Sequence, residues 1–149
     1  MALLRVQDLR LQHGDRLIQQ HVSFDVAPGT IFGVLGPSGC GKSTLLRSLM
    51  GLHEPSGGQV WIEGHDFWAS DESQQQALRS EMGVLFQSAA LWSSMTALEN
   101  VMLPLAHLKG WPPERCRQEA LEVLDWVGMA DAAQRMPAEL SGGMKKRVG

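Results

Sequence analysis

At 149 residues the chain has room for one domain with a sizeable core, and 44% hydrophobic with 19% charged residues is the composition of a globular protein in water. A formal charge of −3 lacks the basic excess of a nucleic-acid footprint, so no nucleic-acid partner is expected. No apolar run approaches the ~18 residues of a membrane span, and two cysteines, Cys40 and Cys116, are too few for a disulfide framework. Any membrane role is therefore expected to be peripheral, and the cysteine usage suits a reducing cytoplasm.

Residues 3–11 and 17–26 read as two strands, with His13-Gly14-Asp15 as the turn between them. The alternation of Val22, Phe24 and Val26 gives the second a buried face. Pro28-Gly29 then punctuates the chain, and Thr30-Ile31-Phe32-Gly33-Val34-Leu35 has the apolar, β-rich character of a buried strand. After a glycine-rich segment, Leu45, Leu46, Leu49 and Met50 recur at helical spacing up to a stop at Gly51. Residues 54–58 form a loop, 59–64 a strand closed by glycine, and 70–79 a short surface helix. Met82-Gly83-Val84-Leu85-Phe86 is the next expected buried strand, followed directly by Gln87.

From there the texture is helical. Thr96-Ala97-Leu98-Glu99 is a capping box, opening a helix that Pro104 must kink or end. Pro112-Pro113 starts another, with Ala120, Leu124 and Val127 on one face and Gly128 as its stop. Residues 96–134 thus read as a helical insertion.

The chain is organised around residues 36–44, Gly-Pro-Ser-Gly-Cys-Gly-Lys-Ser-Thr, which fit the phosphate-binding pattern of Gly, four free positions and Gly-Lys-Ser/Thr. Gly36, Gly39 and Gly41 let the backbone turn successive N–H groups toward an anion, and the helix start behind them adds partial positive charge. Lys42 supplies a charge for the β- and γ-phosphates, and the Ser43 hydroxyl suits Mg²⁺. Pro37, Ser38 and Cys40 fill the free positions, Cys40 as a small filler with some oxidation liability, and Thr44 continues the turn. The bland alternative is a glycine-rich turn of an ordinary α/β domain; the order strand, glycine loop, helix favours phosphate binding. Leu140-Ser141-Gly142-Gly143-Met144 is a second anion-ready helix start, with Ser141 as cap and exposed glycine donors. Lys145, Lys146 and Arg147 follow at the positive end of the helix dipole, each at a cost of up to about 1 kcal/mol unless an anion arrives. A plain cap with solvated charges remains the alternative.

The phosphate loop, a glutamine directly after a strand at Gln87, and Leu140-Ser-Gly-Gly-Met together resemble the Walker A, Q-loop and signature motifs of the ATP-binding cassette ATPases. Their order and spacing match over essentially the whole chain. The resemblance implies an α/β fold, a P-loop NTPase of the ABC type with an N-terminal antiparallel β subdomain and a helical insertion. Within a single nucleotide-binding domain it assigns residues 1–87 to the β subdomain and P-loop core, 88–139 to the helical subdomain and 140–149 to the signature and its helix. It implies ATP and Mg²⁺ as cofactors, and a homodimer paired head to tail. Ser141, Gly142 and Gly143 of one subunit would then meet the γ-phosphate held by the other's Walker A. Gln87 would touch Mg²⁺ and the attacking water, and its loop would report nucleotide state to a transmembrane permease. Where the family stacks adenine on an aromatic residue before a glycine, this chain has His13, which can stack less extensively or serve as a plain turn residue.

A finer resemblance, in residues 83–92, Met95-Thr96 and Glu99-Asn100-Val101, is to the ATPase subunits of Mla-type phospholipid transport systems. These work with MCE-domain proteins at the cytoplasmic face of the bacterial inner membrane. Related exporters and lipoprotein-releasing ATPases share the Glu-Asn-Val element; a lipoprotein-releasing or other small-solute system is one alternative, and a soluble cassette ATPase without a membrane partner is another. Leu91, Trp92 and Met95 could line a groove for a permease coupling helix, or be core of the helical insertion. The residues contain no apolar run ending in Asp-Glu and no later switch histidine, so no general base is assigned. The sequence reads as the first part of a longer protein with the C-terminal part of the core missing, and the isolated chain is expected to fold incompletely and to hydrolyse no ATP.

Overall fold

The computed structural model describes residues 2–149, which form two compact units, one running to Val84 and the other Leu85–Gly149. In the first, strands β1 (Leu4–His13) and β2 (Arg16–Val26) make an antiparallel hairpin whose turn places Gly14 at φ 56°. Strand β3 (Gly57–Ile62) pairs with the other edge of β1, and β4 (His65–Asp66) completes a sheet of order β2-β1-β3-β4. Both hairpin strands lie where the sequence predicts them, each running one or two residues further toward the turn.

Val6, Leu9 and Leu11 are all buried, although a strict period of two would put Val6 and Leu9 on opposite faces. A bulge resolves the conflict: the register passes from Val6 opposite Phe24 to Leu9 opposite Val22, with Asp8 at φ 47° as the extra residue. Strand β3 closes against this bulge. A Cβ on Gly58, itself at φ 81°, would stand 2.4 Å from the Asp8 carbonyl oxygen, so only glycine fits there.

Helix α1 (Lys42–Leu49) lays Leu45 into the cluster of Val6, Leu9, Leu11 and Val60. Helix α2 (Glu72–Ser80) is capped by Asp71, whose carboxylate accepts the Gln74 N–H at 2.9 Å, and it buries Leu78. The predicted strand at 59–64 is shifted: Glu63 and Gly64, at φ 51° and 85°, form the turn into β4 instead.

Two expected buried strands are not strands. Residues 30–35 and 82–86 belong to no ladder, and Ile31 and Leu35 are 104% and 93% exposed. An extended run becomes a strand only where a neighbour accepts its hydrogen bonds, and neither segment meets one among the described residues. Phe32 is anchored by stacking on Phe24, with ring centroids 4.8 Å apart.

The second unit is helical, with α3 (Ala97–Lys109), α4 (Pro113–Trp126), two single-turn 3-10 helices (Ala130–Ala132 and Pro137–Glu139) and α5 (Gly142–Val148). Ala97, Leu98, Ala120, Leu124, Met129 and Leu140 are among its buried core. The predicted capping box is formed: the Thr96 hydroxyl accepts the Glu99 N–H at 3.2 Å, and the Glu99 carboxylate accepts the Thr96 N–H at 2.7 Å. Val127, expected on the inner face of α4, is the C-cap residue and exposed, because the helix ends one residue earlier; Gly128 at φ 63° follows as the stop. Of the two expected outcomes, Pro104 does not end α3: it lies inside it, exposed, with the helix continuing to Lys109. The ring removes the N–H that would reach the Asn100 carbonyl, yet Val101, Met102 and Leu105 pack on the core on both sides of it, and burial outweighs one lost bond.

Candidate functional site

The phosphate loop joins residues 30–36 to α1. Gly36, Gly39 and Gly41 have φ 157°, 80° and 95°, so the latter two lie where L side chains are strained. Gly41 is the N-cap of α1, and Lys42 and Ser43 are its first residues. The Lys42 ammonium folds back over the loop, donating to the Gly36 and Pro37 carbonyls at 2.7 Å each, with Cys40 Sγ at 3.6 Å. An ammonium has three donors, and here two are held by carbonyls within the loop. Lys42 thus places a full positive charge beside the backbone amides that the glycines free.

Cys40 is half-buried, and a Cβ on Gly36 would stand 2.8 Å from its sulfur, so the loop closes on itself at that pair. Sequence reasoning missed the support beneath the loop. Gln19, on β2, donates from Nε2 to the Cys40 carbonyl at 2.9 Å, and a Cβ on Gly41 would meet Ile18 Cγ2 at 2.6 Å. A lone Gln in a strand carries no sequence signal for such a contact.

Among the described residues no group of three or more His, Cys, Asp or Glu could hold a metal ion. Magnesium is ordinarily held by one or two protein oxygens together with substrate phosphates. The exposed Ser43 hydroxyl in the first turn of α1 fits as such a ligand. His13 is exposed at the end of β1, opposite Arg16.

In the second unit Gln87 is exposed in the turn 87–90, which ends on Ala89 and Ala90 at φ 64° and 52°. Alanine in that region is strained by roughly 1–2 kcal/mol per residue, so the turn after Gln87 is held by its surroundings. Ser141 caps α5 as the sequence predicts, its hydroxyl accepting the Met144 N–H at 3.3 Å. Gly142 and Gly143 are exposed, with nothing within 4 Å of an added Cβ. Arg147, in the last turn of α5 and not at its start, is not a free charge: it donates to the Val127 and Gly128 carbonyls at 3.0 and 3.4 Å, satisfying the C-terminal end of α4. Leu91, Trp92 and Met95 line an open, mainly apolar groove of about 800 Å³ with Leu103 and Pro104. Leu91 also packs on the core, so the groove and the core share that residue. No helix among the described residues is long and apolar enough to cross a membrane.

A profile of the ABC transporter family matches residues 19–149. The chain is 42% identical over 139 residues to the methionine import ATP-binding protein MetN of Symbiobacterium thermophilum, covering 93% of this chain and 42% of that protein. It is 40% identical over 147 residues to MetN of Brucella abortus, covering 99% of this chain and 40% of that one. The chain therefore spans about 40% of the length of the curated relatives it matches. Among solved structures it is similar to the ATP-binding cassette MJ0796, dimeric and bound to ADP and Pi in a post-hydrolysis state. That match has a TM-score of 0.84 at 30% identity and covers 97% of this chain and 66% of that one. The names of these relatives lend no support to the finer resemblance to phospholipid systems. With the phosphate loop, its helix and the capped glycine pair formed in a chain that this profile covers almost throughout, the protein belongs to the ABC transporter family.

Proposed function

We propose that this chain forms the nucleotide-binding part of an ATPase subunit that powers a small-solute ABC transporter. The observation that carries the reading is the phosphate loop, where two left-handed glycines open α1 and Lys42 lies over the loop carbonyls. In this reading Lys42 exchanges those carbonyls for the β- and γ-phosphates of ATP, Ser43 ligates the accompanying Mg²⁺, and Gln87 orients water at the metal. Residues 36–44 wrap the phosphates, and His13 stacks on the base. Ser141, Gly142 and Gly143 meet the γ-phosphate bound by a second copy, in a head-to-tail pair.

The groove at Leu91, Trp92 and Met95 is the place for an apolar coupling helix of a transmembrane permease, which sets the subunit at the cytoplasmic face of the inner membrane. The MetN relatives support an amino-acid-sized solute over the phospholipid and MCE-domain partner that residues 83–101 suggest. The test is calorimetric titration of full-length protein with Mg-ATP. Wild type binds and Lys42→Ala loses most of its affinity; equal binding by both would remove the basis of the reading. Purification from membranes with a multi-span permease would separate a transporter subunit from a soluble cassette ATPase, which would come free of one.

A further inference from the structure

We propose that Gln19 is a positioning residue of the phosphate loop, which holds the Cys40 carbonyl against β2 and so aims the Gly41 N–H at the bound anion. The inference rests on the phosphate-binding reading of residues 36–44. Gln19 lies opposite the fully buried Leu11 and next to Ile18, which packs on the same core. An aliphatic side chain would be cheaper at such a place. Instead its Nε2 donates to Cys40 O at 2.9 Å, 21 residues away, while its Oε1 is buried without a partner among the described residues. A protein retains an orphaned buried acceptor where the other half of the amide contributes something of use.

The consequence follows from peptide geometry. In a trans peptide the carbonyl and the following N–H point in opposite directions, and the chain has no cis bond among the described residues. Fixing Cys40 C=O toward β2 therefore turns Gly41 N–H away from β2, to the open side of the loop. That N–H donates to no acceptor among the described residues. The close approach of Gly41 to Ile18 Cγ2 clamps the same peptide from its other end. A donor held in place before the ligand arrives costs no ordering on binding.

The experiment uses full-length protein, titrated with Mg-ATP and separately with inorganic tripolyphosphate, alongside ligand-free thermal melting. Gln19→Met, nearly the same shape without the donor, is expected to bind both ligands roughly fivefold more weakly, the worth of one hydrogen bond, with ligand-free melting unchanged or raised. Gln19→Glu is expected to bind more weakly still, with a deficit that shrinks as salt rises, because it adds a charge of the anion's own sign. Wild-type affinity in Gln19→Met, or a fall in ligand-free stability that tracks the loss of affinity, overturns the assignment. Should Gln19→Met not fold, wild-type affinity in Gln19→Glu overturns it equally. Lys42→Ala is the control: if it too binds tripolyphosphate normally, the phosphate reading itself is wrong, whereas its loss beside an unaffected Gln19→Met removes only the role of Gln19.

Discussion

A Cβ on Gly41 would stand 2.6 Å from Ile18 Cγ2, so strand β2 and the phosphate loop meet with no room for one methyl group. The residue is also at φ 95°, where an L side chain costs roughly 1–2 kcal/mol. Gly41→Ala therefore carries two penalties, strain and overlap, together about 2–4 kcal/mol. Denaturant unfolding should register that loss, and Mg-ATP titration should show weakened binding. Adding Ile18→Ala should restore part of the overlap share only, because Gln19 Cδ and Cγ still stand 3.1 Å from that Cβ and the backbone strain stays.

The capping box of α3 links acid to stability. Backbone and hydroxyl hydrogen bonds from Thr96 hold the Glu99 carboxyl below its usual value of 4.5. A lowered folded-state pKa means that the carboxylate supports the fold above its unfolded value and that this support is lost as pH falls through the folded one. The difference in unfolding midpoint between wild type and Glu99→Gln should be steady near neutral pH and shrink in acid. Thr96→Ala should cost about 1 kcal/mol at neutral pH, as loss of a cap does. A gap between wild type and Glu99→Gln that widens on acidification would contradict the capping account.

Asn100 ties the loop before α3 to that helix. Its Oδ1 accepts the Trp92 N–H at 2.7 Å, and its Nδ2 faces the carbonyls of Trp92, Met95 and Thr96 at 3.1, 3.0 and 2.9 Å. Asn100→Ala should cost about 1–3 kcal/mol, since it strands the Trp92 N–H and the Met95 carbonyl, whereas the Trp92 and Thr96 carbonyls keep the Met95 and Asn100 N–H groups. Asn100→Asp keeps the acceptor but sets a carboxylate against three carbonyls, so it should be at least as damaging at neutral pH and recover in part when protonated. Unfolding curves of the two variants across pH test both statements.

Local chemistry was legible in advance and pairing was not. The capping box at Thr96, the cap at Ser141, the hairpin around Gly14 and the opening of α1 behind Gly41 depend on residues within a few positions of one another, and the structure has them as the sequence predicts. Residues 30–35 and 82–86 have strand composition, yet a strand is a property of two segments, and neither run meets a partner among the described residues. At Pro104 the converse holds: core contacts at Val101 and Leu105 carry the helix past a residue that could have ended it. Gln19 and Arg147 act across 21 and 20 residues, so nothing nearby in sequence announces them.

Ser141 tests the proposed pairing, because its hydroxyl has a local task that can be separated from any contact across subunits. Locally it accepts the Met144 N–H and starts α5. Asp caps as well as Ser does, so Ser141→Asp should leave α5 formed and nucleotide binding by a single subunit unchanged. It would, however, set a carboxylate against the γ-phosphate carried by the other copy, and like charges in a closed interface cost several kcal/mol. Ser141→Arg removes the cap and adds bulk at an exposed helix start. Light scattering of full-length protein with Mg-ATP should show wild type pairing while both variants stay single with nucleotide bound. If Ser141→Asp pairs as wild type does, the glycine pair of α5 does not meet the terminal phosphate.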